Sequence, residues 1–560
     1  MLVKKNDYSS HQSINSGATW LSIGNIFSRI IGILFIIFWM RWIGTPKEAN
    51  EAHTIYSIGY SYYSTFILIS TGGIPSALSR QIAYYNAKEQ FATSQKLFKS
   101  GLLLMSGAGL ISATLFFILA PQLASSTPTT DINSVIATIR SLAPTLLIIP
   151  ILSIMRGFFQ GHEDMKPKAI SLITEQIARV AYILISVYLI RVVFNKSILL
   201  AITQTTFAAF IGGIVALVTL IFFYVKNKQK YHHNIQTSTH LDVSIFSLIK
   251  EIAWVSIPFI IASFVVQVNH LIDLNTFMPI MQNVSNFSAE KIVNEYSIFN
   301  ANAHKLTTIV VSVALSLSST AVPILAKTYT NEKAVLRQTE KNILDTSETN
   351  NLILHILQLF FLVVGLAALG MAVISEPLYA IFYRYDPTGT YYLQISCFIA
   401  ISIGLYATLV SILQATGHFK ISIVGILIGL GVKVLLQYPL LQIFKTPGAM
   451  YSTIISFLSI SIFYLYFIIK EHRLDFREII KSVYPIIFST LLMGALGYII
   501  LNIIKMSFDY QNVYIWIIEI SIVVLLSAII YIYLSLKNRT IDILIGDNKA
   551  TSVRNKYRIK

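Results

Sequence analysis

Residues 139–190 read IRSLAPTLLIIPILSIMRGFFQGHEDMKPKAISLITEQIARVAYILISVYLI. Two apolar runs, 139–160 and 169–190, flank a short loop that carries Lys166 and Lys168. Each run reaches the roughly 20 residues a helix needs to cross a bilayer. Inside them sit Arg140, Arg156, Glu175 and Arg179. A charge at the bilayer centre costs on the order of 3 kcal/mol or more, so such residues are expected to face a protein interior or a water-filled cavity. The stretch therefore predicts a polytopic helical membrane protein with a transport role rather than a passive anchor.

The same pattern recurs along all 560 residues, of which 55% are hydrophobic and only 12% charged. Soluble domains carry about 25% charged residues. Spans are expected near 17–44, 55–79, 100–120, 139–160, 169–190, 197–225, 251–281, 297–325, 351–381, 392–415, 421–443, 447–470, 482–504 and 513–536. The expected fold is that of an all-α polytopic membrane protein of fourteen spans. No polar stretch is long enough to fold as a soluble domain, and no cleavable signal is evident after Lys4 and Lys5. The single cysteine, Cys397, lies in an apolar run and reads as a small buried hydrophobe.

The net charge of +16 is distributed in a way that argues against nucleic acid. About 28 of the 42 lysines and arginines fall in alternate loops and the two termini, while the opposite loops hold about seven. That bias predicts cytoplasmic termini and an even number of spans. The other seven lie in or at the ends of spans: Arg29, Arg41, Arg140, Arg156, Arg179, Lys305 and Lys433.

A faint internal repeat is visible. Gly73-Ile-Pro-Ser-Ala-Leu-Ser-Arg80 is echoed by Ala321-Val-Pro-Ile-Leu-Ala-Lys327, and Gln160-Gly-His-Glu-Asp-Met-Lys166 by Gln414-Ala-Thr-Gly-His-Phe-Lys420. Pro75 and Pro323 are 248 positions apart, Gln160 and Gln414 254. The near-equal offsets predict two pseudo-symmetric six-helix lobes in the same orientation, a known transporter plan. The expected division is 1–245 for the first lobe, 246–472 for the second, and 473–560 for two extra helices with a basic tail.

The in-span charges are the candidate site residues. Arg29 lies about three turns into the first span with Gly24, Ser28 and Gly32 beside it, which favours a closely packed helix with the arginine facing inward. Lys305, with His304 next to it, opens the eighth span and can meet an anionic head group. Snorkelling to an interface is the bland alternative for both. Glu175 and Arg179 are four residues apart, a spacing at which they can pair on one helical face. Asp273 and Lys433 need partners inside the bilayer, either a structural pair or a coupling or gating device. No phosphate-binding glycine loop with its lysine is present, which excludes an ATP-driven pump on this chain. His232 and His233 lack neighbouring carboxylates, so no metal site is expected there.

Several ordered motifs resemble the polysaccharide-transporter and MurJ-like branch of the multidrug/oligosaccharidyl-lipid/polysaccharide flippase superfamily, in particular its Gram-positive-type members. They are Ser28-Arg-Ile-Ile-Gly32 with Gly44, Ile69-Ser-Thr-Gly-Gly-Ile-Pro-Ser-Ala-Leu-Ser-Arg80, and the run from Pro150 to Pro167 with Glu175-Gln-Ile-Ala-Arg179. The resemblance implies two six-helix lobes around a central cavity whose basic residues hold a pyrophosphate. It implies transfer of an undecaprenyl-pyrophosphate-linked cell-wall precursor, lipid II, from the inner to the outer leaflet. Arg29 matches the family's first-span arginine, and Lys305 or His304 its eighth-span basic residue. Lys433 resembles a lysine of the Gram-positive-type branch, and the last two spans would supply a groove for the lipid tail. The chain departs from better-known members at Phe35 and near Tyr62, where those carry arginines. Alternatives are export of another lipid-linked polysaccharide unit and cation-coupled multidrug export. No cofactor is expected beyond a coupling cation; the expected partners are the lipid-linked saccharide, membrane lipids and cell-wall synthesis proteins, and no enzymatic activity is expected.

Overall fold

A backbone N–H or C=O in hydrocarbon has no water to bond, so apolar sequence of this length has one stable local form, the α-helix. A computed structural model shows it throughout the residues it describes: 34–87, 90–125, 131–162, 164–229, 244–339, 347–506, 512–545 and 547–557, with residue 127 and isolated positions between 24 and 32. No strand occurs among them. The helices are α1 (Leu34–Ile43), α2 (Pro46–Thr71), α3 (Ile74–Ala87), α4 (Phe91–Ile118), α5 (Ala120–Ser125), α6 (Ile132–Gly161), α7 (Met165–Val187) and α8 (Ile198–Lys226). They continue with α9 (Ile245–Val284), α10 (Ala289–Tyr296), α11 (His304–Thr339), α12 (Ser347–Phe360), α13 (Leu366–Val373) and α14 (Ser375–Tyr383). The chain ends with α15 (Pro387–Ala415), α16 (Phe419–Phe444), α17 (Thr446–His472), α18 (Phe476–Lys505), α19 (Val513–Lys537), α20 (Asp542–Ile545) and α21 (Asp547–Tyr557).

Ten helices among the described residues are long and apolar enough to cross a membrane. They coincide with ten of the fourteen expected spans. The other four expected spans fall differently. Of 17–44, only the end is described continuously, as α1. The span at 55–79 is divided between α2 and α3 by Gly72 and Gly73, the latter at φ 67. The span at 251–281 lies within α9, whose 40 residues extend about 60 Å, twice the hydrocarbon thickness. The span at 297–325 begins with a wider π turn, Ser297–Ala303, before α11.

Residue contacts divide the chain into two units, Met1–Ser297 and Ile298–Lys560. The division falls after α10, and α9 packs on α2, α3 and α4 of the first unit. Within that unit α6 is central, packing on α2, α3, α4 and α8. Its apolar contacts include Leu152 and Phe158 against Leu97, Phe98 and Leu220. In the second unit α15 holds the corresponding place, packed on α11 and α17, with Cys397 and Ala400 against Val310 and Phe360. These are the two helices the repeat equates. Among the described spanning helices each is the most enclosed of its unit, with 50% and 78% of its apolar window buried. The other repeated motif differs between copies: the chain breaks at Gly72 and Gly73 ahead of Pro75, whereas α11 runs unbroken through Pro323. Paired glycines free the backbone to turn, and the second copy lacks them.

Gly157 and Gly161, which terminate α6, are four residues apart and let α3 approach closely. A Cβ on Gly157 would stand 2.7 Å from the Pro75 carbonyl oxygen, and one on Gly161 2.7 Å from Ile82 Cβ. Small residues at this spacing are a common means of joining helices in lipid. Gly157→Ala is expected to cost about 1–3 kcal/mol through overpacking against rigid backbone. The check is the thermal midpoint of the nanodisc-embedded protein beside Gly107→Ala, whose added methyl meets nothing within 4 Å.

Candidate functional site

The in-span charges of the first unit gather on α7. Glu175 does not pair with Arg179, as their spacing suggests; it pairs with Arg156 from the last turns of α6, at 2.7 Å. Arg156 Nε also donates to Ser171 Oγ at 2.9 Å. The pair is largely enclosed, at 15% and 19% exposure. The physical reason is that Arg179 already has other neighbours. Its guanidinium lies 4.9 Å from the centre of the Tyr60 ring and donates to the Tyr60 and Tyr56 hydroxyls. A cation over an aromatic face gains about 0.5–2 kcal/mol, more when shielded from water.

Tyr60 belongs to an aromatic ladder along α2. His53 stacks on Tyr56 at 5.9 Å, Tyr56 lies 4.7 Å from Tyr60, and Tyr60 meets Tyr63 edge-on at 5.4 Å. The steps of three and four residues place these rings on one helical face. Gly212 of α8 then fixes α7: a Cβ there would come within 2.8 Å of the Glu175 carbonyl oxygen and 3.1 Å of Arg179 Cβ. Both hydrogen bonds of Arg179 come from Nη2. A guanidinium offers five donors and stays charged at every relevant pH, so this cation can take an anion through its remaining N–H groups. Sequence reasoning missed the ladder, although its period is readable in His53, Tyr56, Tyr60 and Tyr63.

Arg29 lies outside the described residues, and so do His232 and His233. Gly24 and Gly32 on either side of Arg29 are described and pack on α7: added Cβ atoms would meet Ala169 O at 3.3 Å and Gln176 Nε2 at 2.8 Å. Phe35 is buried, as is Tyr62, whose hydroxyl donates to Asn275 Oδ1 of α9 at 3.0 Å. Asp273, on the same helix, is 3% exposed. One turn further, Phe277 packs on Tyr296 of α10 at 5.4 Å.

At the start of α2 the chain forms a cavity of about 450 Å³ against α10, with Lys47, Asn50, Glu51, Thr54, Glu290 and Asn294 in its lining. Lys47 and Glu290 form an ion pair across it, and Ser297 donates to the Asn50 carbonyl at 2.9 Å. Thr45 and Glu48 cap α2 reciprocally. The Thr45 N–H and hydroxyl hold the Glu48 carboxyl below its ordinary value, so that part of the cap is complete at neutral pH and lost in acid. Glu290 raises the Lys47 ammonium above 10.5, so its contribution is lost only as the pH climbs past the lysine range.

The remaining candidates belong to the second unit. His304 and Lys305 occupy the first turn of α11, both half-buried. Lys433 of α16 is fully buried and donates to three oxygens of α17: Ala449 O at 3.2 Å, Ser452 Oγ at 2.9 Å and Thr453 Oγ1 at 2.7 Å. Ser452 also donates to Gln437 Oε1 at 2.7 Å. The structure thus brings Glu175 and Arg179 to one helix, and Lys305 to His304. Asp273 and Lys433 lie in different units.

Helices of this length and apolarity, with polar side chains bonded to one another inside the bundle, define a multi-pass α-helical membrane protein. The chain belongs to the family described as polysaccharide biosynthesis protein, whose model matches residues 14–329. It is 27% identical over 508 residues to the "Lipid II flippase MurJ" of Bacillus subtilis (strain 168), covering 89% of this chain and 90% of that protein. Its fold is similar to that of a lipid II flippase MurJ in an inward closed conformation, with a TM-score of 0.61 at 14% identity over 92% and 97% of the two chains. It is also similar to an inward-facing multidrug-resistance MATE transporter of the MOP superfamily, with a TM-score of 0.58 at 12% identity over 77% and 93%.

Breaking the Arg156–Glu175 pair by Glu175→Gln is expected to destabilise the protein by on the order of 3 kcal/mol, because a nearly buried guanidinium loses its counter-charge. Thermal unfolding in nanodiscs checks this. Arg156→Met combined with Glu175→Gln is expected to recover most of the loss.

Proposed function

We propose that this protein is a flippase that carries an undecaprenyl-pyrophosphate-linked cell-wall precursor, lipid II, from the inner to the outer leaflet by alternating access. The observation that carries the reading is the similarity to the Bacillus subtilis lipid II flippase over nine-tenths of both chains. The residue chemistry supports it. The polar head group of such a lipid is anionic, and Arg179 presents a permanent cation with donors to spare inside the bundle. Arg29, Lys305 and His304 are proposed to join it in holding the pyrophosphate, with Glu175 setting the local charge through Arg156. The polyprenyl tail stays in lipid throughout.

The reading includes fourteen spans, both termini in the cytoplasm, and two six-helix lobes followed by a pair of helices. It needs no chemical step on the substrate. An inside-negative potential is worth about 2.3 kcal/mol per charge per 100 mV, which favours outward movement of the anion or inward return of a cation. Asp273 and Lys433 are the proposed coupling or gating groups, and cell-wall synthesis proteins the proposed partners.

Complementation of a strain depleted of its lipid II flippase tests the activity. Wild type is expected to restore growth and outer-leaflet lipid II; Arg29→Ala and Arg179→Ala are expected to lower flipping tenfold or more at normal protein level. Full rescue by both variants would remove the cationic-site mechanism, and drug resistance without rescue would favour a multidrug exporter. Topology is tested separately: reporters fused at residue 235 and at the C-terminus are both expected to read as cytoplasmic.

A further inference from the structure

Arg140 lies within a spanning helix, yet it has no part in the proposed translocation site and is exposed on the surface of α6. Among the described residues its one partner is Phe117 of α4, whose ring centre lies 4.9 Å from the guanidinium carbon. An aromatic face steers a cation but does not neutralise it. Asp131, the carboxylate that opens α6, is turned to the helix end, where it accepts from the Ser134 N–H at 3.1 Å and from the Ser134 hydroxyl.

The surroundings of Arg140 are apolar. The helices α4 and α6 pack on each other, and a Cβ on Gly109 would stand 2.9 Å from Leu146 O and 3.3 Å from Leu147 O. With Phe117 beside Arg140 and Gly109 beside Leu147, the two helices run antiparallel. Leu103, Leu110 and Phe117 of α4 are exposed and follow one another at seven-residue steps; Leu147 of α6 is exposed seven residues after Arg140. Seven residues make close to two turns, so each set keeps to one side of its helix. The result is an apolar seam with a single cation at one end.

Depth in the membrane follows from length. The 30 residues of α6 extend about 45 Å, so a helix centred in about 30 Å of hydrocarbon leaves roughly 7 Å beyond each boundary. Arg140 comes eight residues after Ile132, about 12 Å along the axis. Its backbone therefore lies a few ångströms inside hydrocarbon, within reach of the head groups for an extended arginine side chain.

We propose that the seam between α4 and α6 binds one anionic glycerophospholipid, with its phosphate on Arg140 and an acyl chain along Leu110 and Leu147. The planar donors of a guanidinium match a phosphate bidentately, and the lipid supplies the counter-charge that the neighbouring side chains do not. A zwitterionic lipid brings the same phosphate, but its ammonium group offsets the attraction. The site stands apart from the function proposed above, and its test needs no transported substrate.

The test is native mass spectrometry of the full-length, delipidated protein in detergent, titrated with phosphatidylglycerol, phosphatidylcholine or inorganic phosphate. The first phosphatidylglycerol is expected to bind about fivefold more tightly than phosphatidylcholine, the preference that one cation near the membrane surface confers. R140Q is expected to abolish that preference and R140K to keep most of it. Equal affinity for the two lipids in wild type, or an undiminished preference in R140Q, overturns the proposal. So does displacement of the bound lipid by inorganic phosphate, which would make this a site for the free anion. Should R140Q fail to fold, photo-crosslinking of wild type decides. Phosphatidylglycerol with a diazirine in its acyl chain is expected to label α4 or α6 near Leu110 and Leu147; labelling confined to other helices removes the site.

Discussion

Everything in this structure answers to the absence of water in hydrocarbon. The backbone meets that constraint by coiling into helices, and the side chains meet it by bonding to whatever the bundle offers. Hydroxyl groups do so most simply, turning back on their own helix: Thr138 donates to Ser134 O, Thr205 to Ala201 O, Thr408 to Gly404 O. Such bonds satisfy a polar group without needing a neighbour. Charged groups have no local solution of that kind, and they decide which helices must touch.

In the first unit three charged side chains set the helix contacts. Arg156 and Glu175 tie α6 to α7, and Arg179 ties α7 to α2 through two phenols. Glycines at 157 and 161 let α6 approach α3, and Gly212 lets α8 approach α7. The hydroxyls of Tyr56 and Tyr60 leave Arg179 formally charged, where a carboxylate would have cancelled it. A neutral cage around a fixed cation is suited to an anionic ligand, and this is the physical content behind the proposed flippase site.

The second unit uses the same chemistry for a different end. Lys433 is enclosed by a carbonyl and two hydroxyls that tie α16 to α17. Its ammonium works there as a hydrogen-bond hub between neighbouring helices. Glu376 and Lys505 tie α14 to α18 through their ion pair.

Sequence alone determined the helical class, the positions of most spans and the residues that would need partners, because hydrocarbon permits few alternatives and the apolar runs are long. It also marked α6 and α15 as equivalent, through the Gln160 and Gln414 motifs. Partner choice was not legible. The four-residue spacing of Glu175 and Arg179 pointed to a pair on one helix, yet a residue nineteen positions earlier in the chain takes the carboxylate. Only tertiary structure could decide that, since it depends on how closely α6 and α7 approach and on Tyr60 occupying the guanidinium face. The break at Gly72 and the unbroken course through Pro323 were likewise settled by local backbone freedom within the packed bundle, which hydropathy does not encode.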